Sequence, residues 1–334
     1  MAESLIQNFN HLKIHSQFSI CEGAVKIDDL KDFSKENKLK SLGICDTINL
    51  CGALEFSEKL SKIGTQPIIG TQIYFKYANT LGLLPLFALN EEGYKNIIEL
   101  SSLSYLNNET ISEPHLDLNK LLEKNEGVAL FSGTINGLSG QLFNKGKFTE
   151  INELYLQLKS NFGDRFYIEI QRHKDQNEAG FEKFNLSQSL NLEIPIIATN
   201  EVFYLKKDMH EAHDALICIK NKTYINEKNR IRFSDQHYLK NDIEMSELFA
   251  DLPVALENNY NFVYRCNFRP LLSKPILPNI SSAKDGDADE TLRKDTYLGL
   301  KNKFNNIFNI KDENFSSNKK YIEYKDRLDH EIKI

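Results

Sequence analysis

From Phe9 to about Tyr204 the chain alternates short apolar runs with longer amphipathic ones, and that alternation limits the folds open to it. The short runs are FNHLKIH (9–15), KSLGICD (40–46), QPIIGTQIYF (66–75), LLPLFAL (83–89), GVALFSG (127–133), RFYIEIQ (165–171) and IPIIATN (194–200). Between them lie helix-like stretches at 26–38, 53–63, 92–106 and 150–162. Strands separated by amphipathic helices read as βαβ units, and therefore as an α/β fold with a parallel sheet. Several runs end on a polar or acidic residue, namely His15, Asp46, Glu169 and the pair Asn200–Glu201. In barrels and open α/β sheets, active-site side chains collect at that carboxyl end of the strands.

After Asp208 the pattern turns helical, through MHEAHDALICIKN and MSELFADLPVALENNYNFVYRC. Pro270, Pro275 and Pro278 then mark a junction, and ETLRKDTYLGLKNKF is helical again. Near the end, Tyr321, Tyr324, Leu328 and Ile332 recur at helical spacing without a C-cap signal, as in a helix that continues. Expected domains are therefore 1–270 and 271–334.

Composition narrows the class. Hydrophobic residues make up 41% of the 334 and charged residues 26%, which is globular. A formal net charge of −6 argues against a chain that coats nucleic acid over its whole surface, while leaving room for a local basic groove. The five cysteines are odd in number and form no CxxC pair, so a reducing compartment is expected rather than a disulfide framework. MAESLIQNFN has no basic and apolar leader pattern, and no apolar run reaches about 18 residues.

The first strand carries the most chemistry. In HLKIH, Leu12 and Ile14 alternate with His11, Lys13 and His15. Residues two apart on a strand face are roughly 6.6 Å apart, a span two imidazoles can bridge with a shared ion. Residues four apart are about 13 Å apart, too far to share one. His11 and His15 are thus a poor chelating pair, and the position between them is Lys13. A protonated ammonium has no lone pair and repels a cation. It can instead stand where an ion would, paired with carboxylates.

Taken together, HLKIHSQFSICEGAVKIDDL, LGICDTINLCGALEF, PIIGTQIYF, RFYIEIQRH and IPIIATNEVFYL resemble the successive motifs of a PHP (polymerase and histidinol phosphatase) domain. With AHDALICI, YLKNDIEMSELFADLPVALENN and RCNF following, their order is similar to the N-terminal region of the bacterial DNA polymerase III alpha subunits. The resemblance implies a distorted (β/α)7 TIM-like barrel, followed by a mostly helical start of the polymerase core, the palm/thumb region. It also implies a ligand set. Where the family places HxH, this chain reads Lys13 and His15; the acid before the next glycine is Glu22. The Asp-His pair reads Asp46–Thr47, and the acid after IIG reads Gln72. Glu169 and His173 fit the pattern, and the late Asp-x-His reads Glu201–Val202–Phe203. Lys13, Thr47, Gln72 and Phe203 therefore replace three imidazoles and one carboxylate. His15, Glu22, Asp46, Glu169, His173 and Glu201 remain as a vestigial set, enough for one weakly held divalent ion rather than a multi-metal cluster.

Other candidates have plainer readings. His11 is expected to be structural, and His210 and His213 to sit on a solvated helix face or beside the site. His115, His237 and His330 are expected to have no chemical role. Cys45 reads as a core residue, and Cys51 has no partner base. GTINGLSG lacks the form of a dinucleotide loop. In IKNKTYINEKNRIRF, Lys222, Lys228, Arg230 and Arg232 surround Tyr224 and are candidates for nucleic-acid contact, against a solvated loop.

The resemblance then implies a cytoplasmic DNA-directed DNA polymerase whose Mg2+ is held by palm carboxylates outside this chain, with no catalytic residues here. The segment is expected to be a structural module that docks the proofreading exonuclease subunit, alongside other replicase subunits and primer–template DNA, and no membrane. The alternative is an active metal-dependent 3'–5' exonuclease or pyrophosphatase.

Overall fold

In the computed structural model, residues 9–106, 113–276, 288–309, 315 and 317–334 are described. Packing divides the chain into two units, Met1–Leu272 and Ser273–Ile334.

The first unit begins with β1 (Lys13–Ile14), α1 (Ile27–Glu36), β2 (Ser41–Thr47), α2 (Ala53–Ser61), β3 (Gln66–Tyr77) and β4 (Thr80–Ala88). It continues through α3 (Glu91–Leu106), β5 (His115–Asp117), α4 (Leu118–Glu123), β6 (Val128–Phe131), α5 (Leu138–Asn144) and α6 (Phe148–Phe162). It closes with β7 (Phe166–Ile170), α7 (Glu178–Leu192), β8 (Ile196–Ala198), β9 (Glu201–Val202), α8 (His210–Asn221), α9 (Asp242–Leu248) and α10 (Pro253–Phe262).

Among the described residues the main sheet runs β2-β3-β4-β6-β7-β8, with β5 added to β3. The expected parallel sheet is corrected to a mixed one. β3 pairs antiparallel with β4, and β4 antiparallel with β6. The reason is local: Ala78 and Asn79 join β3 to β4 with φ of 47° and 57°. Two consecutive left-handed residues make the hairpin turn whose twist matches the strands. A link that short cannot cross over to a parallel position. β2–β3, β6–β7 and β7–β8 are parallel, as βαβ units require.

Both faces of the sheet are covered. On one, Ile73, Leu84, Leu86, Leu130 and Ile168 pack with Ile97 and Leu100 of α3 and with Leu154 and Leu158 of α6. On the other, Leu12, Cys45, Ile68, Phe87, Phe131, Tyr167 and Phe262 form one cluster. The ring centroids of Phe87 and Phe131 lie 4.7 Å apart. Burial on both faces explains why VALF reads as an unbroken apolar run rather than an alternating one.

The 9–15 run is shorter as a strand than its sequence suggests. Only Lys13–Ile14 pairs, in parallel with β9, although Phe9 to Ser16 are all buried. The flanking backbone is satisfied elsewhere. Asn10 N–H donates to Asn259 Oδ1 (2.9 Å), and His11 O accepts from Gly43 N–H (2.7 Å). Gly43 permits that approach, because a Cβ there would stand 2.6 Å from Leu12 Cα. The short elements α4, α5, β5 and β9, and the helix α7, have no counterpart in the sequence reading. In α7 only Glu178, Phe181 and Asn185 are buried, so no apolar stripe announces it.

The second unit holds α11 (Ala288–Ile307) and α12 (Lys319–Glu331). Phe304, Phe315 and Tyr321 form its core, and Asn318 caps α12 by accepting from Tyr321 N–H (3.0 Å). Pro278 lies outside the described residues. Among the described residues no helix is long and apolar enough to cross a membrane.

Candidate functional site

The site lies where β1, β9, the carboxyl ends of β2 and β7 and the middle of β3 meet. Register places Lys13 of β1 opposite Glu201 of β9. Lys13 Nζ stands 3.2 Å from Glu201 Oε1 and 3.4 Å from Glu169 Oε1, and all three residues are buried. These contacts are ion pairs rather than well-aligned hydrogen bonds. The ammonium thus occupies the gap between two carboxylates.

Neighbouring residues complete the arrangement. His15 Nε2 meets Glu201 Oε1 at 3.2 Å, and its Nδ1 lies 3.4 Å from Thr47 Oγ1. With the proton on Nε2, His15 donates to the carboxylate and accepts from Thr47. Gln72 Nε2 donates to Thr47 Oγ1 (3.3 Å) and lies 3.4 Å from Glu201 Oε1. Phe203 stacks on the His15 ring with centroids 4.6 Å apart. Glu169 Oε1 accepts from Gln171 Nε2 (2.9 Å) and from the Thr199 hydroxyl.

Charge follows from burial and pairing. Burial works against the Lys13 ammonium, but Glu169 and Glu201 outweigh it and raise its pKa above the ordinary lysine value. Burial likewise opposes the Glu201 carboxylate, yet Lys13 and His15 hold it well below the usual range. For Glu169 burial wins over Lys13 and Thr199, and its pKa is raised. The cluster is a Lys13 ammonium paired most strongly with Glu201 and also with Glu169.

The six expected ligands do not converge. Asp46 is spent on Ser16 N–H (2.7 Å), Ser16 Oγ (2.8 Å) and Ser19 Oγ (2.7 Å). Glu22 faces Lys220 Nζ at 3.3 Å. His173 Nε2 lies 3.0 Å from Asn200 Oδ1, and Glu178 accepts from the His173 backbone N–H. Side chain to side chain only His15 and Glu201 meet, with Glu169 across the Lys13 ammonium; His173 reaches Glu201 through its backbone, Nε2 accepting from Glu201 N–H (3.3 Å). Among the described residues no group of three or more His, Cys, Asp or Glu has the geometry to hold a metal ion. The donor set does not fit a multi-metal cluster, because a cation that cannot be a ligand stands at its centre.

Some expectations need correction. His237, expected to have no chemical role, sits in a defined place: it is buried, stacks on His173 at 4.0 Å, and meets Asp175 Oδ2 at 3.2 Å. Nothing in SDQHYLK signals this, since the contact depends on a loop fold. Of the two places expected for His213, the structure has the one beside the site rather than the solvated face: it is buried, and its ring N–H donates to Glu22 O (2.8 Å). Arg230 is not free for a phosphate, because Asp214 grips it at 2.5 and 2.6 Å. Lys222, Lys228 and Arg232 are exposed. Gln171 and Thr199 join the site without belonging to any motif; the one signal is that Gln171 lies two residues beyond Glu169 and so shares its strand face. A cleft of about 420 Å³ opens beside Glu201, Gln72, Phe203 and Glu22.

The PHP domain family matches residues 11–173. A DNA polymerase III subunit alpha from Caulobacter vibrioides is 36% identical over 310 residues, 90% of this chain and 27% of that protein. One from Rickettsia conorii is 34% identical over 333 residues, 98% of this chain and 28% of that protein. The chain therefore spans about a quarter of the length of these relatives. Among solved structures, a two-domain protein from Bacteroides vulgatus described as containing a predicted PHP-like metal-dependent phosphoesterase is similar. It has a TM-score of 0.40 and 15% identity, over 71% of this chain and 62% of that one.

Proposed function

The chain belongs to the PHP-domain region of the DNA polymerase III alpha subunit family, and on that premise we propose that it is the N-terminal part of a replicative DNA-directed DNA polymerase whose PHP module is structural rather than hydrolytic. The observation that carries the second half is the Lys13 ammonium between Glu169 and Glu201, at 3.4 and 3.2 Å. In a multi-metal phosphoesterase, ions in such a place activate water and balance developing charge. An ammonium balances the carboxylates but cannot bind and acidify a water.

The finer parts of this reading rest on the same family. The sheet is the wall of a distorted (β/α)7 barrel; the Gly43–His11 hydrogen bond and the β1–β9 pair support closure on one side. The helical second unit is the start of the polymerase core. Nucleotidyl transfer, with Mg2+ at palm carboxylates, belongs to the part of the protein beyond this chain. The PHP module docks the proofreading exonuclease subunit, with other replicase subunits and primer–template DNA as further partners of the whole protein, in the cytoplasm.

The test is direct. The purified chain is equilibrated with Zn2+, Mn2+ and Fe2+, desalted, analysed for metal and assayed on a 3'-labelled oligonucleotide and on pyrophosphate. We expect fewer than two ions per chain and no turnover. Two or more ions together with hydrolysis would establish the exonuclease or pyrophosphatase instead. The polymerase half is tested by the coding sequence after Ile334, which should encode a palm with paired acidic residues.

A further inference from the structure

Helix α8 ends at Asn221, and Lys222 closes it in the left-handed conformation (φ 53°). No further helix or strand begins before Asp242. A stretch of that length without regular structure is uncommon in a compact domain and is commonly functional.

This loop is firmly anchored. The Arg230 guanidinium grips Asp214 with two bonds, and its Nε donates to Ile225 O at 3.2 Å. Thr223 Oγ1 donates to Glu227 Oε2 at 2.8 Å, closing the first turn. At the far end His210 donates to Phe233 O (3.0 Å), and the Ser234 hydroxyl donates to His173 O.

The last turn of α8 and the loop leave four large apolar side chains in solvent among polar ones. Ile219, Tyr224, Ile225 and Ile231 are 68%, 78%, 53% and 60% exposed. Exposed Lys222 and Lys228 stand among them, with Arg232, which is exposed although its Nε also lies 3.7 Å from Asp214 Oδ2. Residues 219–232 contain one acidic side chain, Glu227, and it is engaged by Thr223. In a chain of net charge −6, this is a local reversal of sign. A single exposed isoleucine needs no explanation, but several on one rigid loop rimmed by cations form an interaction patch. A nucleic-acid backbone would satisfy the cations and leave the isoleucines wet, so the apolar component favours a protein.

We infer that this loop is a docking surface for an extended acidic segment of a partner protein. Aliphatic or aromatic side chains of that segment cover Tyr224, Ile225 and Ile231, and its carboxylates face Lys222, Lys228 and Arg232. The inference rests on the docking reading given above and names the surface that performs it.

The whole 334-residue chain is titrated calorimetrically with the separate proofreading exonuclease subunit encoded in the same genome. Three forms are compared: the unmodified chain, the triple Tyr224→Ser, Ile225→Ser, Ile231→Ser, and the triple Lys222→Glu, Lys228→Glu, Arg232→Gln. The unmodified chain should bind, and each triple should bind at least about tenfold more weakly with an unchanged thermal midpoint. The charge variant's deficit should shrink as salt is raised. No binding by the unmodified chain would overturn the docking reading and the surface with it. Binding by the unmodified chain with both triples within about twofold would overturn the surface alone. Oligonucleotide binding lost only in the charge triple, with exonuclease binding intact in both, would assign the loop to nucleic acid and overturn the peptide assignment.

Discussion

Lys13 and Glu201 face each other across the β1–β9 pair, and their charged ends meet 3.2 Å apart with almost no solvent contact. A buried ion pair of this kind can add little net stability, yet removing one partner leaves an uncompensated charge. Lys13→Met should therefore cost about 3–5 kcal/mol in denaturant unfolding. Lys13→Met with Glu201→Gln should recover much of that loss, a coupling that a double-mutant cycle measures. A Lys13→Met chain within about 1 kcal/mol of the original would show that the ammonium does not neutralise this site.

Acid should weaken the fold before the carboxylates titrate. Burial lowers the pKa of His11 and of His213 to about 4. Each neutral ring donates to a backbone carbonyl, His11 to Lys240 O and His213 to Glu22 O, both at 2.8 Å. Unfolded histidines titrate near 6.5, so between that pH and about 4 the unfolded chain binds more protons. The stability from these rings is fully present above about 6.5 and is lost as pH falls toward 4, up to about 3 kcal/mol each. Glu201, held low by Lys13 and His15 against burial, adds a further loss once pH drops below about 4.3, while Glu169, raised by burial, works in the opposite direction. Urea midpoints at pH 7.5, 6 and 5 should fall in that order, and His11→Gln should flatten the trend. A midpoint constant from pH 7.5 to 5 would contradict this account.

Much of this was legible in the sequence, and the rest was hidden for identifiable reasons. The strands β2, β3, β4, β6, β7 and β8 follow apolar runs, because burial on the sheet leaves a compositional trace. Lys13 was legible as a cation among expected carboxylates. The β3–β4 hairpin was not, because Ala78–Asn79 lacks the glycine that usually marks such a turn. β1 and β9 have two residues each, too few to display a period. Glu22 looks like a ligand by position, but Lys220, 198 residues further on, takes its carboxylate. The His173–His237 stack likewise joins residues that no local pattern links.

Gly43 bears on how the site is held. A Cβ there would stand 2.6 Å from both Leu12 Cα and Leu12 O, which are backbone atoms with no flexible end to yield. Gly43→Ala should push the 9–15 segment off β2 and cost about 1–3 kcal/mol, the range for overpacking. Because Lys13 lies one residue beyond Leu12, the shift should also loosen its pairing with Glu201. The cost of Lys13→Met should then be smaller in the Gly43→Ala background than in the original chain. Strict additivity of the two would separate the Gly43 contact from the ion-pair site.

The Asp214–Arg230 clamp should govern the loop rather than the whole unit. Arg230 reaches Asp214 of α8 with both terminal nitrogens and holds Ile225 O as well, so one side chain ties two points of the loop to the helix. Few other bonds restrain residues 222–232, and backbone regions with little buried contact open locally at low free energy. Arg230→Gln should leave the main unfolding transition nearly unmoved while the loop opens far more often. Trypsin under native conditions should then cut after Lys222 and Lys228 several-fold faster than in the original chain, with the rest of the first unit resistant. Equal cutting rates in the two proteins would mean that the loop's order comes from packing and not from the clamp.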